Sequence, residues 1–200
     1  MSEVDVFIHP TAIVDVGAEV CKGTKIWHFC HVCGGAKIGP NVSLGQNCYV
    51  APTAMIGSGC RIQNNVSIYD GVVLTRDVFV GPSAVFTNVL TPRAHVSRKD
   101  EYKQTLVKQG ASIGANATIV CGVTIGQFAM IGAGSLICKD VPDYARMVGN
   151  PARFIGWSCQ CGGNLEHTSS STLICPLCSL CYHTSDSDPA RLTLSQDPLS

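Results

Sequence analysis

IWHFCHVCGGAKIGPNVSLGQNCYV, residues 26–50, places an aliphatic side chain at every sixth position, and this spacing decides the fold. An α-helical repeat of about 3.6 residues cannot keep one face buried over such a period, whereas short strands joined by turns can. Three strands of six residues would form one triangular coil of 18 residues. Stacked coils place equivalent strands about 4.8 Å apart. The stretch therefore predicts an all-β, parallel β-helix in which the aliphatic side chains stack as interior columns.

The same phase extends in both directions along the chain. Aliphatic residues keep the period from Ile8 to Phe86 and again from Val107 to Ile137. Small or branched residues stand four places after them and are also expected inside, where cysteines such as Cys48 serve as apolar fillers. We therefore predict a β-helical domain over residues 1–154.

The repeat is interrupted by a polar, charged segment, which predicts a projecting loop over residues 87–106. A long loop that leaves a rigid repeat is a common location for function, although it can also be a tolerated insertion. Four cations concentrate in this loop: Arg93, Arg98, Lys99 and Lys103. Their concentration favours a functional loop.

Composition limits the possible partners. Hydrophobic residues make up 46% of the chain, and 14 basic residues balance 14 acidic ones, so no global field would attract nucleic acid or an anionic membrane. No apolar run approaches the length of about 20 residues that a membrane helix needs. The first residues, MSEVDVFIHP, lack the pattern of a secretory signal. We therefore expect a cytoplasmic protein without a nucleic-acid or membrane partner.

The C-terminal residues have a different pattern. Five of the twelve cysteines lie in CQCGGNLEHTSSSTLICPLCSLC, residues 159–181. Four of them have the spacing C-x-C, thirteen residues, C-x-x-C, which predicts a closed, structural Zn²⁺ site of Cys159, Cys161, Cys175 and Cys178. Because C-x-C is short for a zinc knuckle, Cys181 or His183 is an alternative ligand. We predict a zinc-knuckle-like tail over residues 155–183, similar to a zinc ribbon, and disorder over residues 184–200.

Several motifs sharpen the interpretation of the repeat: IWHFCHV at 26–32, FTNVLTPR at 86–93, RKDEYKQTLVKQGASIGANATIVCG at 98–122 and VGNPARFIGW at 148–157. With these motifs the chain resembles the left-handed β-helix, hexapeptide-repeat acyltransferases. Within them it is most similar to enzymes that transfer an acetyl group from acetyl-CoA to the 3-amino group of a UDP-linked amino uronate in surface polysaccharide biosynthesis. The resemblance implies a homotrimer with active sites between adjacent β-helices.

Amide formation needs a positioned amine, a donor to the developing oxyanion and a route for a proton. The resemblance places Asn88, in the FTN motif, at the reacting centre, although an asparagine there can also cap a turn. His31 is the candidate base or a contact to a distant part of the substrate, but in the predicted register it stands three coils from the base of the loop. His95 is more easily explained as an exposed loop residue. Direct attack by an already neutral sugar amine is a further possibility.

Binding residues are assigned to both substrates. Cationic and planar side chains of the loop, and polar side chains of earlier coils, are candidates for the nucleotide sugar: Arg93, Lys99, Tyr102, Asn64, Tyr69 and Asp70. The resemblance implies a channel for acetyl-CoA lined by Ala115, Ala133, Lys139 and Arg153. Of these, Arg153 is the expected phosphate contact.

Three other functions are compatible with the repeat. An O-acetyltransferase acting on a sugar or small alcohol would use the same scaffold, and only the acceptor distinguishes it. A noncatalytic β-helix scaffold would leave the charged loop without a purpose. A zinc hydratase would need converging histidines, and His28, His31 and His95 offer no obvious set of three ligands.

Overall fold

The structure, a computed structural model, describes residues 5–184 and 192–195. The strands before the loop are β1 Phe7–Ile8, β2 Ile13–Val14, β3 Glu19–Val20, β4 Lys25–Ile26, β5 His31–Val32, β6 Lys37–Ile38, β7 Ser43–Leu44, β8 Tyr49–Val50, β9 Met55–Ile56, β10 Arg61–Ile62, β11 Ser67–Ile68, β12 Val72–Leu74, β13 Phe79–Val80 and β14 Val85–Phe86. A 3-10 turn, Lys99–Glu101, lies in the loop.

The strands after the loop continue the repeat and then change character. They are β15 Thr105–Val107, β16 Ser112–Ile113, β17 Thr118–Ile119, β18 Thr124–Ile125, β19 Met130–Ile131, β20 Leu136–Ile137, β21 Ala145–Gly149 and β22 Ala152–Trp157. The tail adds β23 Glu166–His167, β24 Thr172–Ile174, β25 Cys181–Thr184 and β26 Leu192–Leu194. None of the helices described is long and apolar enough to cross a membrane.

Every third strand joins the same parallel sheet, which gives a three-sided solenoid. Face A carries β1, β4, β7, β10, β13, β16 and β19, followed by β21 and β22; face B carries β2, β5, β8, β11, β14, β17 and β20; face C carries β3, β6, β9, β12, β15 and β18. Ile62 pairs with Leu44 below and Val80 above, each 18 residues away in sequence. The predicted coil length and register are therefore confirmed.

The core consists of the predicted columns. Aliphatic side chains from Ile26 onward are almost fully buried, and Phe86 and Ile113 continue them. Ile8 is 43% exposed, because among the described residues the first coil has a neighbouring coil on one side only. Burial raises the pKa of the Cys60 thiol to about 11, so this cysteine stays protonated at neutral pH and acts as an apolar filler.

Shortening one core side chain tests the column directly. We expect Ile62→Val to lower the free energy of unfolding by about 0.5 to 1.5 kcal/mol, since it removes one buried methylene between two packed coils. The adjacent outward residue provides the control, and Arg61→Gln is expected to change stability by less than about 0.5 kcal/mol. Urea denaturation of both variants gives the measurement. Equal stability of Ile62→Val and the parent would contradict the stacked register.

The domain boundaries differ in detail from those predicted. The loop occupies residues 87–104, because Thr105 is already buried in β15. The predicted boundary at residue 154 falls inside β22, which runs to Trp157 and pairs antiparallel with β21. Trp157 then packs into a core that is continuous with the tail.

The expectation of disorder over residues 184–200 does not fit the part that can be described. Thr184 ends β25, and Leu192–Leu194 pairs antiparallel with it as β26. Leu192 is 3% exposed, so its burial explains why this short apolar segment is held in a strand. Residues 185–191 and 196–200 lie outside the described residues.

Candidate active site and metal cluster

Asn88 stands where the loop leaves the corner between faces B and C. Its backbone carbonyl accepts a hydrogen bond of 3.0 Å from the Lys103 amide, which closes the base of the loop. The side chain is half-buried, and its carboxamide has no hydrogen-bond partner within residues 5–184 and 192–195. A half-buried carboxamide without an internal partner can bind a ligand, whereas a turn cap would already be occupied.

Two other predicted polar residues use a side-chain oxygen to bond to the preceding coil. Asp70, one coil before Asn88 on the same corner, accepts hydrogen bonds from the amide and hydroxyl of Thr53 at 3.1 and 2.8 Å. The side-chain oxygen of Asn64, Oδ1, accepts a hydrogen bond of 2.9 Å from the Gln46 backbone amide. These bonds join successive coils, so the geometry supports a structural role for Asp70 and Asn64.

The loop forms an open groove of about 430 Å³ beside Asn88. The structure brings four predicted residues and His95 together in it: Asn88, Arg93, Lys99, Tyr102 and His95. The cationic side chains are exposed. Such a groove offers two cations, a planar hydroxyl-bearing ring and an amide, which suit an anionic sugar derivative.

Arg98 has a structural role within the loop. Its Nη1 donates to both oxygens of the Glu101 carboxylate, at 2.8 and 2.9 Å. This ion pair spans the 3-10 turn and holds Lys99 between its ends. Of the loop's cations, Arg98 is therefore already neutralised by a partner.

His31 lies far from Asn88 within one chain. It is aligned on face B with Tyr49, Ser67 and Val85 in consecutive coils, as the sequence predicted. Three coil spacings of about 4.8 Å amount to roughly 14 Å. The His31 Nε2 atom lies 3.1 Å from the Asp15 carboxylate. The structure thus pairs His31 with an acidic residue but does not bring it to Asn88.

Tyr69 lies between these two regions. Its ring is 37% exposed and lies 6.0 Å from the Tyr49 ring, which in turn meets the His31 ring edge-on at 5.7 Å. Tyr69 is also one coil below Thr87, because Ser67 pairs with Val85. It therefore flanks the base of the loop and offers an aromatic surface there.

A second groove lies at the C-terminal end of the solenoid. It has a volume of about 380 Å³ and is lined by Lys139 and Arg153, with Leu136 and Met147 among the apolar residues. Of the four predicted cofactor residues, Lys139 and Arg153 are brought together here. Ala115 and Ala133 stack on the corner between faces A and B instead, where the Gly134 amide donates to the Ala115 carbonyl at 2.8 Å.

The two grooves share one corner of the solenoid. Phe86, Ile119 and Ile137 are paired in consecutive coils, so Asn88, Cys121 and Lys139, each two residues later, form one column. Lys139 is then two coils, or roughly 10 Å, from Asn88. A molecule extended along this corner could contact Arg153 and Lys139 at one end and Asn88 at the other.

The four predicted cysteines of the tail converge. Their sulfur atoms lie within 4.8 Å of one another, with 3.4 Å between Cys159 and Cys178 and 3.5 Å between Cys161 and Cys175. Four thiolates around Zn²⁺, at about 2.3 Å each, would be separated by about 3.8 Å. Cys181 and His183 lie outside the group, since Cys181 is buried in β25 and His183 contacts Thr172 at 3.3 Å.

Sequence reasoning missed Asp15 and Thr87. Asp15 precedes His31 by 16 residues, two short of a full coil, so the period itself would have placed them in adjacent coils. The Thr87 hydroxyl accepts a hydrogen bond of 2.9 Å from the Cys121 amide, and this bond fixes the corner that carries Asn88. No motif marks that contact.

Family models match the repeat. The bacterial transferase hexapeptide model (six repeats) matches residues 17–52, and the model for the hexapeptide repeat of succinyl-transferase matches residues 35–70 and 109–139. The chain is 54% identical over 67 residues to the dTDP-3-amino-3,6-dideoxy-alpha-D-galactopyranose 3-N-acetyltransferase of Aneurinibacillus thermoaerophilus, covering 34% of this chain and 35% of that protein. The chain thus spans about a third of that relative's length.

Two solved structures share the architecture. The acetyltransferase domain of PglB from Neisseria gonorrhoeae FA1090, in complex with acetyl coenzyme A, has a TM-score of 0.56 at 21% identity, covering 76% of this chain and 58% of that one. That likeness shows the fold alone. The hexapeptide-repeat acetyltransferase VCA0836 from Vibrio cholerae O1 biovar eltor, complexed with acetyl coenzyme A, has a TM-score of 0.51 at 27% identity, covering 62% and 70%. The family models confirm the hexapeptide repeat over residues 17–70 and 109–139, and together with the curated relative they confirm the resemblance to the hexapeptide-repeat acetyltransferases.

Proposed function

We propose that this chain is an acetyl-CoA-dependent N-acetyltransferase whose acceptor is the amino group of a nucleotide-linked amino sugar. One observation carries the proposal: the unoccupied carboxamide of Asn88 lies between a cationic loop groove and a corner that leads to Lys139 and Arg153. This arrangement has separate places for an anionic sugar nucleotide and for a second extended anion. A relative that acetylates a 3-amino sugar on dTDP supports the acceptor class.

The reaction can be assigned to groups at Asn88. The neutral amine attacks the thioester carbonyl, a C–N bond forms, and the carbonyl oxygen becomes an oxyanion. Collapse of this intermediate breaks the C–S bond and expels CoA thiolate, which takes up a proton equivalent to the one that the amine releases. The Asn88 N–H donates to the oxyanion, or its C=O accepts from the amine, and either bond helps most if it strengthens in the transition state. No proton transfer within one chain is assigned to His31, because of the roughly 14 Å between it and the loop base.

Acceptor binding is assigned to the loop. Arg93 and Lys99 are proposed to contact the diphosphate or a sugar carboxylate, while Tyr102 and Tyr69 offer aromatic faces to the sugar or base. The finer proposal, suggested by the sequence motifs, is the 3-amino group of a UDP-linked uronate in surface polysaccharide biosynthesis. A structural role is proposed for Asp70 and Asn64, since one side-chain oxygen of each holds the neighbouring coil through Thr53 and Gln46.

A trimer of left-handed β-helices is part of the same proposal. The loop exposes apolar side chains, with Leu90 57% and Val96 39% accessible in the single chain. A neighbouring β-helix packed against the loop would cover them and would close the groove beside Asn88. Such a neighbour could also bring a second copy of His31 or of the Ala115 corner toward the site.

Acceptor screening tests the function. Purified protein is incubated with acetyl-CoA and with UDP-, dTDP- or GDP-linked amino sugars, and release of the CoA thiol is followed together with the mass of the product. The proposal predicts a product that resists mild alkali, as an amide does. An alkali-labile product would instead identify an O-acetyltransferase. Failure to release thiol with any of these acceptors would favour a noncatalytic scaffold.

Arg153→Ala tests the cofactor groove. Loss of a charge-assisted hydrogen bond costs about 1.5 to 3 kcal/mol, so the KM for acetyl-CoA is expected to rise about tenfold or more. The kcat should change little, because a phosphate contact far from the reacting carbonyl contributes equally to ground and transition states. Arg61→Ala, on face A, is the matched control. An unchanged KM for acetyl-CoA in Arg153→Ala would remove Arg153 from the cofactor site.

For the tail we infer a structural Zn²⁺ held by Cys159, Cys161, Cys175 and Cys178. The sulfur separations fit four thiolates, and the Tyr182 hydroxyl lies 3.1 Å from the Cys159 sulfur, where it can donate to a thiolate. A closed set of four protein ligands leaves no position for substrate, so we assign the metal ion a role in stabilising the fold of the tail. Its role in the fold follows from Tyr182, which is fully buried and packs against Tyr144 of the last coil at 5.4 Å.

A further inference from the structure

Three different potential metal ligands converge at the N-terminal end of the corner between faces B and C. Asp15 and Cys33 occupy the same place in consecutive coils, because Val14 pairs with Val32. His31, in β5, places its Nε2 atom 3.1 Å from the Asp15 carboxylate and 3.9 Å from the Cys33 sulfur. All three ligand atoms lie within 4.8 Å of one another.

These separations are close to those around a tetrahedral metal ion. Zn²⁺ binds imidazole nitrogen and carboxylate oxygen at about 2.0 to 2.2 Å and thiolate sulfur at about 2.3 Å. At tetrahedral angles the nitrogen would lie about 3.4 Å from the oxygen and about 3.6 Å from the sulfur. The observed 3.1 and 3.9 Å differ from these by a few tenths of an ångström, which small side-chain rotations would accommodate.

The surroundings hold the sulfur of Cys33 and the imidazole of His31 in place. The Cys33 thiol donates a hydrogen bond of 3.4 Å to the Tyr49 hydroxyl, which holds the sulfur on the side of His31. The same ring packs edge-on against His31. Gly34 then turns the backbone away, and a Cβ there would lie 2.5 Å from the Val16 carbonyl oxygen. A side chain at Gly34 would therefore collide with the neighbouring coil, so a glycine lets the two coils pack closely beside the three ligands.

The site lies at the surface, with Cys33 buried beneath the other two ligands. The side chains of His31 and Asp15 are 44% and 43% exposed. Three protein ligands leave a fourth tetrahedral position for water, unlike the closed set in the tail. A simple His–Asp ion pair would explain two of these residues but not the position of Cys33 and its contact with Tyr49.

We propose that Asp15, His31 and Cys33 form a second metal site, an open three-ligand site for a divalent transition metal, with Zn²⁺ as the preferred ion. One nitrogen, one oxygen and one sulfur donor suit a borderline cation and exclude Mg²⁺ and Ca²⁺, which prefer oxygen ligands. The proposal does not rest on acetyl transfer, since the site is separated from Asn88 by about three coils.

Co²⁺ titration of the full chain tests this site. Protein is reduced, its tail cluster is first filled with one equivalent of Zn²⁺, and Co²⁺ is then added while the thiolate-to-cobalt absorption in the near ultraviolet is recorded. We expect one further equivalent to bind. Asp15→Asn, His31→Ala and Cys33→Ser should each lower its affinity by more than about 100-fold, since each loses a direct ligand. Tyr49→Phe should lower it by about 10- to 100-fold, as loss of an outer partner does.

Control variants distinguish this site from adventitious binding at surface thiols and from a catalytic role of His31. Cys21→Ser, which removes an exposed cysteine elsewhere, should leave the second equivalent intact. Circular dichroism confirms that each variant is folded. Absence of a second equivalent in the parent protein, or its persistence in both His31→Ala and Cys33→Ser, would overturn the proposal. The kcat for acetyl transfer is measured separately for the same variants. If the parent protein binds no second equivalent of Co²⁺ and His31→Ala lowers kcat, His31 is assigned to catalysis instead of metal binding.

Discussion

Asn88→Ala is expected to lower kcat by about 100-fold or more if the carboxamide donates to the oxyanion, and by less if it only aligns the amine. The physical reason is that its side chain has no partner among the described residues, so its hydrogen bond is available to the reacting groups. The KM for acetyl-CoA should change little, since Arg153 and Lys139 remain. Steady-state kinetics with the acceptor identified by screening gives both parameters.

The matched control for Asn88 is Asn65→Gly. Asn65 is also a corner asparagine, but its φ of 62° is left-handed, which glycine adopts without strain, and its carboxamide oxygen accepts a bond from Asn47 at 3.1 Å. Removing that carboxamide should affect stability slightly and leave kcat unchanged. If Asn88→Ala keeps the parent kcat in a folded protein, the reacting centre lies elsewhere.

The period was sufficient to predict the solenoid because a strand has a side-chain period of two. A slip of one residue would turn a column such as Leu44, Ile62 and Val80 toward solvent, so only one register buries the aliphatic residues. The register also placed Asn88 and Asp70 correctly on one corner. The same logic would have found the contact of Asp15 with His31.

The period could not separate function from capping at the corners. Asn88, Asp70 and Asn64 are all short polar side chains at turns, and each residue type both caps turns and binds ligands. Only the three-dimensional structure shows that side-chain oxygens of Asp70 and Asn64 accept hydrogen bonds from Thr53 and Gln46. Likewise, the loop has no repeat from which the Arg98–Glu101 pair could be read.

The period also could not show how the C-terminal residues pack, and the predicted limit at residue 154 falls inside β22. The hexapeptide pattern ends near residue 137, but burial continues through Tyr144, Trp157 and Tyr182. The Phe128 and Tyr144 rings stack at 5.5 Å, and Gln160 donates to the Tyr144 hydroxyl at 3.3 Å. The tail therefore packs on the last coil of the solenoid, and the spacing of its cysteines gives no information on which residues it contacts there.

Removal of metal from the tail is expected to have the largest effect on stability. Structural Zn²⁺ sites bind with apparent free energies of about 10 to 16 kcal/mol, which support a segment that has little core of its own. Protein prepared reduced and without chelators should retain one tightly bound Zn²⁺ in the tail after dialysis, and Cys175→Ser should lose it. Hydrogen exchange should then rise across residues 159–182 and, because Tyr182 packs on Tyr144, in the last coil as well.

Cys21→Ser is the control and should retain the metal. Absence of zinc from the parent protein, or equal retention of zinc in Cys175→Ser, would contradict the proposed four-cysteine site.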